Sequence, residues 1–289
     1  MKSLCLSLLV IMALPLVSQQ PSNHSDPSKL HTTAATDQGS QDFAQSCESP
    51  AFPSEPTLVD SACGVAGSGG AETAQNKQKD DFCASGDPEA IDFDKLKELQ
   101  TQVANDASIN WGNRNAATHQ KGPATDRAHL QQIGEGKLVS LNGFVFIARQ
   151  EGKESVNCGP AVPNQPVYHD IHISIVNNAS EADECNSVVV EMSPHHRPVE
   201  WSAENVEKLA KSHTPVRVTG HLFFDSSHVP CVSGQSVAGN PKRFSLWEIH
   251  PVYKFEVCTE NCNAQGTWSD FADFVKSTHE NSAAKSGSQ

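Results

Sequence analysis

Residues 187–225 contain SVVVEM (187–192), a segment opened by Ser202 and ending near Ser212, and VRVTGHLFFD (216–225). The first and last pieces are short, β-branched and apolar, and so read as strands. The middle piece reads as a helix: Ser202 is a good N-cap, and Val206, Leu209 and Ala210 share one face. Working outward, LVSLNGFVFIAR (138–149) and the alternating run Asp170-Ile171-His172-Ile173-Ser174-Ile175 give two earlier strands. FSLWEIHPVYKFEVC (244–258) gives a last one. Gly143 is expected to mark a bulge in the first strand. Five strands with a helix between the third and fourth is the plan of an OB-type barrel. The expected fold is therefore mainly β, α+β by content. It is an OB-like five-stranded barrel with an inserted helix, flanked by an N-terminal helix at 93–104 and a C-terminal helix at 269–277. A generic α+β sandwich is the competing arrangement.

Around this barrel domain (131–280) the chain divides by composition. Residues 1–18 start with Met1-Lys2 and continue as a run of apolar residues from Leu4 to Val17, the layout of a secretory signal peptide. The run is too short to span a bilayer, and no later segment approaches the required length, so no membrane span is expected after signal removal. Residues 19–45 are polar and small, a disordered linker by composition. Residues 46–130 form a Cys-containing irregular extension around the helix near 93–104. Residues 281–289 form a loose tail.

Nine cysteines occur, and removal of Cys5 with the signal leaves Cys47, Cys63, Cys83, Cys158, Cys185, Cys231, Cys258 and Cys262. An even number in an exported chain points to disulfides, with Cys258 and Cys262 close enough to bridge. The expected location is periplasmic or extracellular.

The chain has 289 residues and a net charge of −13, with 37% hydrophobic and 6% aromatic residues. Such a charge argues against a general nucleic-acid backbone binder and against docking on anionic membranes. Catalytic motifs are missing: there is no Gly-x-Ser-x-Gly elbow, His-Glu-x-x-His helix, P-loop or zinc-deaminase signature. Catalytic residues are accordingly unassigned.

Two constellations remain. In the first, Asp170 and His172 share a strand face, as do Glu248 and His250, because side chains repeat every two residues. Glu191 ends the third strand, with His195 and His196 close behind. If strands 2, 3 and 5 present these faces together, Asp170, His172, Glu191, Glu248 and His250 form a metal-ligand set suited to zinc, manganese or iron. The same spacing also suits a structural hydrogen-bond network. In the second, Arg149, Tyr168, Lys242, Arg243 and Trp247 lie around the two long loops, 150–169 and 226–243, where OB-folds bind their ligands. A glycan, peptide or partner protein fits this set, unless Trp247 is simply core.

Val216-Arg217-Val218-Thr219-Gly220 through Asp225, then Trp247-Glu248-Ile249-His250-Pro251-Val252, resembles a group of uncharacterised exported bacterial proteins with an OB-like domain. The strand at 170–173 and Val190-Glu191 resemble the same group. The resemblance spans roughly residues 137–260 and implies a bacterial setting and the fold, with no activity attached. Three functions follow: a disulfide-stabilised binding or interaction module, a metal-dependent hydrolase of nuclease or phosphodiesterase type, and a structural envelope protein.

Overall fold

The computed structural model describes residues 59, 64–68, 73–112, 127–231, 239–262 and 266–286. The segments read from composition as signal and linker, 1–45, together with Cys47 and Cys63, lie outside these residues.

Five strands close the barrel: β2 (Leu138–Gln150), β3 (Ile171–Val176), β4 (Val188–Met192), β5 (Pro215–Phe224) and β6 (Trp247–Glu260). Going round, β2 pairs with β3, β3 with β4, β4 with β6, β6 with β5, and β5 with β2. All pairings are antiparallel except β4–β6, which is parallel. Helix α4 (Ala203–Ser212) joins β4 to β5. This is the OB arrangement expected from element order.

Each element carries a local reason. Ser202 accepts a hydrogen bond from the Asn205 amide at the start of α4, and Asp92 accepts one from Lys95 at the start of α2 (Phe93–Asn105). Phe93, Leu96, Leu99 and Val103 form the buried stripe of α2. Along the strands, Ile171, Ile173 and Ile175 face Val188, Val190 and Met192 inside the barrel, joined by Leu222, Phe224, Trp247 and Ile249. The irregularity in β2 falls between Val145 and Ile147, not at Gly143. Gly143 instead lies where a Cβ would come within 2.5 Å of the Ile175 side chain. Strand β6 stays paired on both sides through a register shift opposite Gly220.

Regular structure also appears where composition gave no signal. These elements are α1 (Thr73–Lys79), β1 (Glu89–Ile91), α3 (Ala128–Ile133) and β7 (Thr267–Asp270). β1 adds to β2 in parallel, and β7 pairs with β6. The last helix, α5, runs Phe271–Ser286, beyond the expected end at 277. No described helix is long and apolar enough to cross a membrane.

Among the described residues, Cys185 is bonded to Cys231 and Cys258 to Cys262. Cys83 and Cys158 are also disulfide-bonded. The chain is thus a disulfide-stabilised barrel, suited to a non-reducing environment.

Every residue of β3 and of β4 is buried on both faces. One face lies in the barrel core. The other is the outer face that open OB barrels present to ligands. Here it is covered by the lead-in and by the 151–169 loop. Gln75 of α1 anchors this cover, accepting from the Ser226 amide and hydroxyl and donating to Ser227 Oγ at 2.6 Å. Asn76 donates to Ser155 Oγ, and Phe82 stacks on Tyr253 with ring centroids 5.5 Å apart. The Tyr253 hydroxyl donates to the Asp81 carbonyl and accepts from the Ala84 amide.

Candidate metal centre

Strand register assembles the site under that cover. His172 stands opposite Glu191 in the β3–β4 pair, so both side chains leave the same face. The parallel pair Val190–Ile249 sets Glu191 beside His250 of β6. Asp170 enters from the residue just before β3. The Arg197 guanidinium fixes this approach, donating to the carbonyls of Pro166, Val167, His169 and Met192.

The distances are short. His250 Nδ1 lies 2.7 Å from Glu191 Oε2, and His172 Nε2 lies 3.3 Å from the same oxygen. Glu154, from the long loop, brings Oε1 to 3.8 Å from His172 Nε2, and Glu151 approaches His172 Nδ1 at 3.4 Å. Lys79 of α1 reaches in from above, 3.9 Å from Glu154. Asp170, Glu191 and His250 are each 1% exposed or less. The donors fall into two triads, Glu154–Asp170–His172 and Asp170–Glu191–His250, each with its ligand atoms within 4.8 Å of one another.

The electrostatics follow from packing carboxylates out of water. Burial pushes the Glu191 carboxyl up, but His172, His250 and Lys79 outweigh it and hold it well below the usual range. Burial works against the His172 imidazolium, yet Glu191 and its neighbours raise that group to about 9. Burial raises the Glu154 carboxyl despite Lys79 nearby. Burial also opposes the Lys79 ammonium, and the surrounding acids, Glu191 first, more than restore it. Asp170 is 0% exposed, and neither of its carboxylate oxygens has a hydrogen-bond partner among the described residues; Glu248 is like it in this, but lies against the Arg243 guanidinium. Such a group is costly to bury unless a cation satisfies it.

Of the five residues singled out as ligands, the structure brings four together. Glu248 lies beside the cluster, with Oε2 3.9 Å from His250 Nδ1, but is held against the buried Arg243 guanidinium, which also faces Asp225. Asp225 in turn pairs with His228. His195 lies 3.3 Å from Asp80 of the cover. Glu154 and Lys79 were missed in the sequence, because neither belongs to a periodic strand pattern. The length of the 150–169 loop was the one available signal for Glu154.

The second constellation is dispersed. Arg149 forks onto Glu184. Tyr168 packs on Val59, Cys158 and Val162. Arg243 and Trp247 are buried, Trp247 edge-on to Phe224, so neither ring nor guanidinium offers a face to a ligand. Lys242 is half-buried, and its carbonyl accepts from the Ser187 hydroxyl. A groove of about 1290 Å³, lined in part by Leu138, Arg217, Tyr253 and Lys254, lies elsewhere on the barrel and shares no residue with the metal-ligand cluster.

No protein-family model, no curated protein and no solved structure matches the chain.

Proposed function

We propose that the protein is an exported OB-type binding module whose ligand is a divalent cation, held beneath the cover by Asp170, Glu191 and His250, with His172 and Glu154 beside them. The observation that carries this reading is the Asp170 carboxylate, wholly buried and without a hydrogen bond, among two imidazoles and two further carboxylates. Charge supports it as well: the carboxylates of Glu154, Asp170 and Glu191 outnumber the Lys79 ammonium and the His172 imidazolium around them. Mixed carboxylate and imidazole donors suit zinc, manganese or iron. An exported setting accords with the apolar N-terminal run and with the disulfides.

A glycan, peptide or protein ligand has less support, because the side chains that would meet it are engaged in the fold. A metal-dependent hydrolase is the second reading, favoured by one feature. The Glu154 side chain is 29% exposed, so the outer side of the cluster meets water that a metal ion could activate.

The test is the metal content of the untagged protein, recovered from an oxidising compartment. About one equivalent of zinc, manganese or iron is expected, and Asp170→Asn should lose it. Protein that is metal-free and gains no thermal stability from added divalent ions would overturn the reading. Phosphodiester hydrolysis by the loaded protein, abolished in His172→Ala, would place the second reading first.

A further inference from the structure

The cation reading accounts for the inner triad and leaves the outer one unexplained. Ligands on opposite sides of one ion, each bound at roughly 2.0–2.2 Å, stand about 4.4 Å apart at most. The five donors here group as two triads rather than one set of five, and the triads share only Asp170. Their chemistry is the same, two carboxylates and one imidazole each. Their surroundings differ: Asp170, Glu191 and His250 are all buried, whereas Glu154 opens the other triad to solvent. Closed triads suit a resident ion, and open ones leave a coordination position for water or a ligand.

Resting on the single-cation reading, we propose that the outer triad, Glu154, Asp170 and His172, is a second divalent-cation site, and that Asp170 bridges the two ions. A carboxylate has two oxygens, one for each ion. This accounts for Asp170 being buried with both oxygens unpartnered. Two-ion centres of this kind place their metals about 3.5–4 Å apart. Glu151, 3.4 Å from His172 Nδ1 and 28% exposed, stands at the solvent side of the outer triad and gives it an acidic entrance. Counting Glu151, the four carboxylates balance two divalent ions, and the Lys79 ammonium remains as surplus positive charge. The loaded centre therefore favours a small oxyanion at its open position, with inorganic phosphate as the simplest probe. Carboxylate-rich donors point to manganese(II) as the metal for the test.

Metal-free full chain, disulfides intact, is titrated with manganese(II), and the bound metal is counted after removal of excess. Electron paramagnetic resonance is recorded on the same sample. Two equivalents per chain are expected, with the exchange-coupled signal of a manganese pair. Glu154→Gln, a change at the partly exposed rim, should keep the wild-type melting temperature of the metal-free protein. It should bind one equivalent and give only the signal of isolated manganese(II). Phosphate should bind the doubly loaded protein at least tenfold more tightly than the singly loaded variant. One equivalent in the wild type, or two in Glu154→Gln, would overturn the second site while leaving the single-cation reading standing. No bound metal at all would overturn both.

Discussion

At the scale of single residues, the ion pairs of this protein divide by what completes them. Arg217 and Glu256 complete each other: they face across β5–β6, Arg217 donates two bonds to the carboxylate at 2.7 and 2.9 Å, and Lys254 adds a third contact at 2.7 Å. Arg217 also lies over the Trp268 ring at 4.7 Å. Burial pushes the Glu256 carboxyl up, but Arg217 and Lys254 outweigh it and hold it below its ordinary value. A carboxyl depressed in the folded state stabilises above its unfolded pKa, about 4.3, and that contribution is lost as pH falls through the lower folded value. Glu256→Gln should therefore cost about 1 kcal/mol at neutral pH, after allowance for solvent screening. Urea unfolding of both proteins from pH 7 downward should show the difference shrinking below about pH 4.3. A difference that holds constant to pH 2 would mean that Glu256 acts by packing alone. Among the described residues Asp170 accepts no such hydrogen bond, which is why it, and not Glu256, marks the site.

At the scale of elements, β5 and β6 show how closely the barrel is built. A Cβ on Gly220 would lie 2.3 Å from the Pro251 carbonyl oxygen and 2.7 Å from Ile249 Cγ2. The first of these is backbone, which cannot rotate aside. Gly220→Ala should cost about 3 kcal/mol, read as a lower urea midpoint with an unchanged slope. A loss below about 0.5 kcal/mol would mean that the strands part there at little cost. The barrel was legible in the sequence because its strands are β-branched, apolar runs and its helix has a Ser cap at a fixed place. The cluster was half legible from a period of two, which put His172 with Asp170, and His250 with Glu248. Which of these would meet depended on register across β3, β4 and β6, and local pattern carries no register for a parallel pair formed across 59 residues, Val190 to Ile249. Glu248 shares the face of His250 but pairs with Arg243, a loop residue outside any strand pattern. Lys79 and Glu154 arrive from a polar helix and a loop, where burial is imposed by tertiary packing rather than by periodicity.

At the scale of the whole molecule, covalent links add to a core that draws on few aromatic residues, 6% of the chain. Cys185–Cys231 ties the turn before β4 to the loop after β5 across 46 residues, whereas Cys258–Cys262 spans 4. If the links act by restricting the unfolded chain, the first contributes about 4 kcal/mol and the second about 2. Replacing both members of each pair by Ala should lower the melting temperature about twice as far for the long link. Equal effects would place the stabilisation in native packing around each sulfur pair.

The late position of β6 has one more result. This strand pairs with β4 on one side and β5 on the other. A nascent or truncated chain that ends before Trp247 therefore has two bare sheet edges, one of them the Val-rich β4. Unpaired apolar edges recruit further strands, so such a fragment should self-associate rather than persist as an open monomer. The residues from Trp247 onward thus decide whether the rest of the chain meets itself or its neighbours.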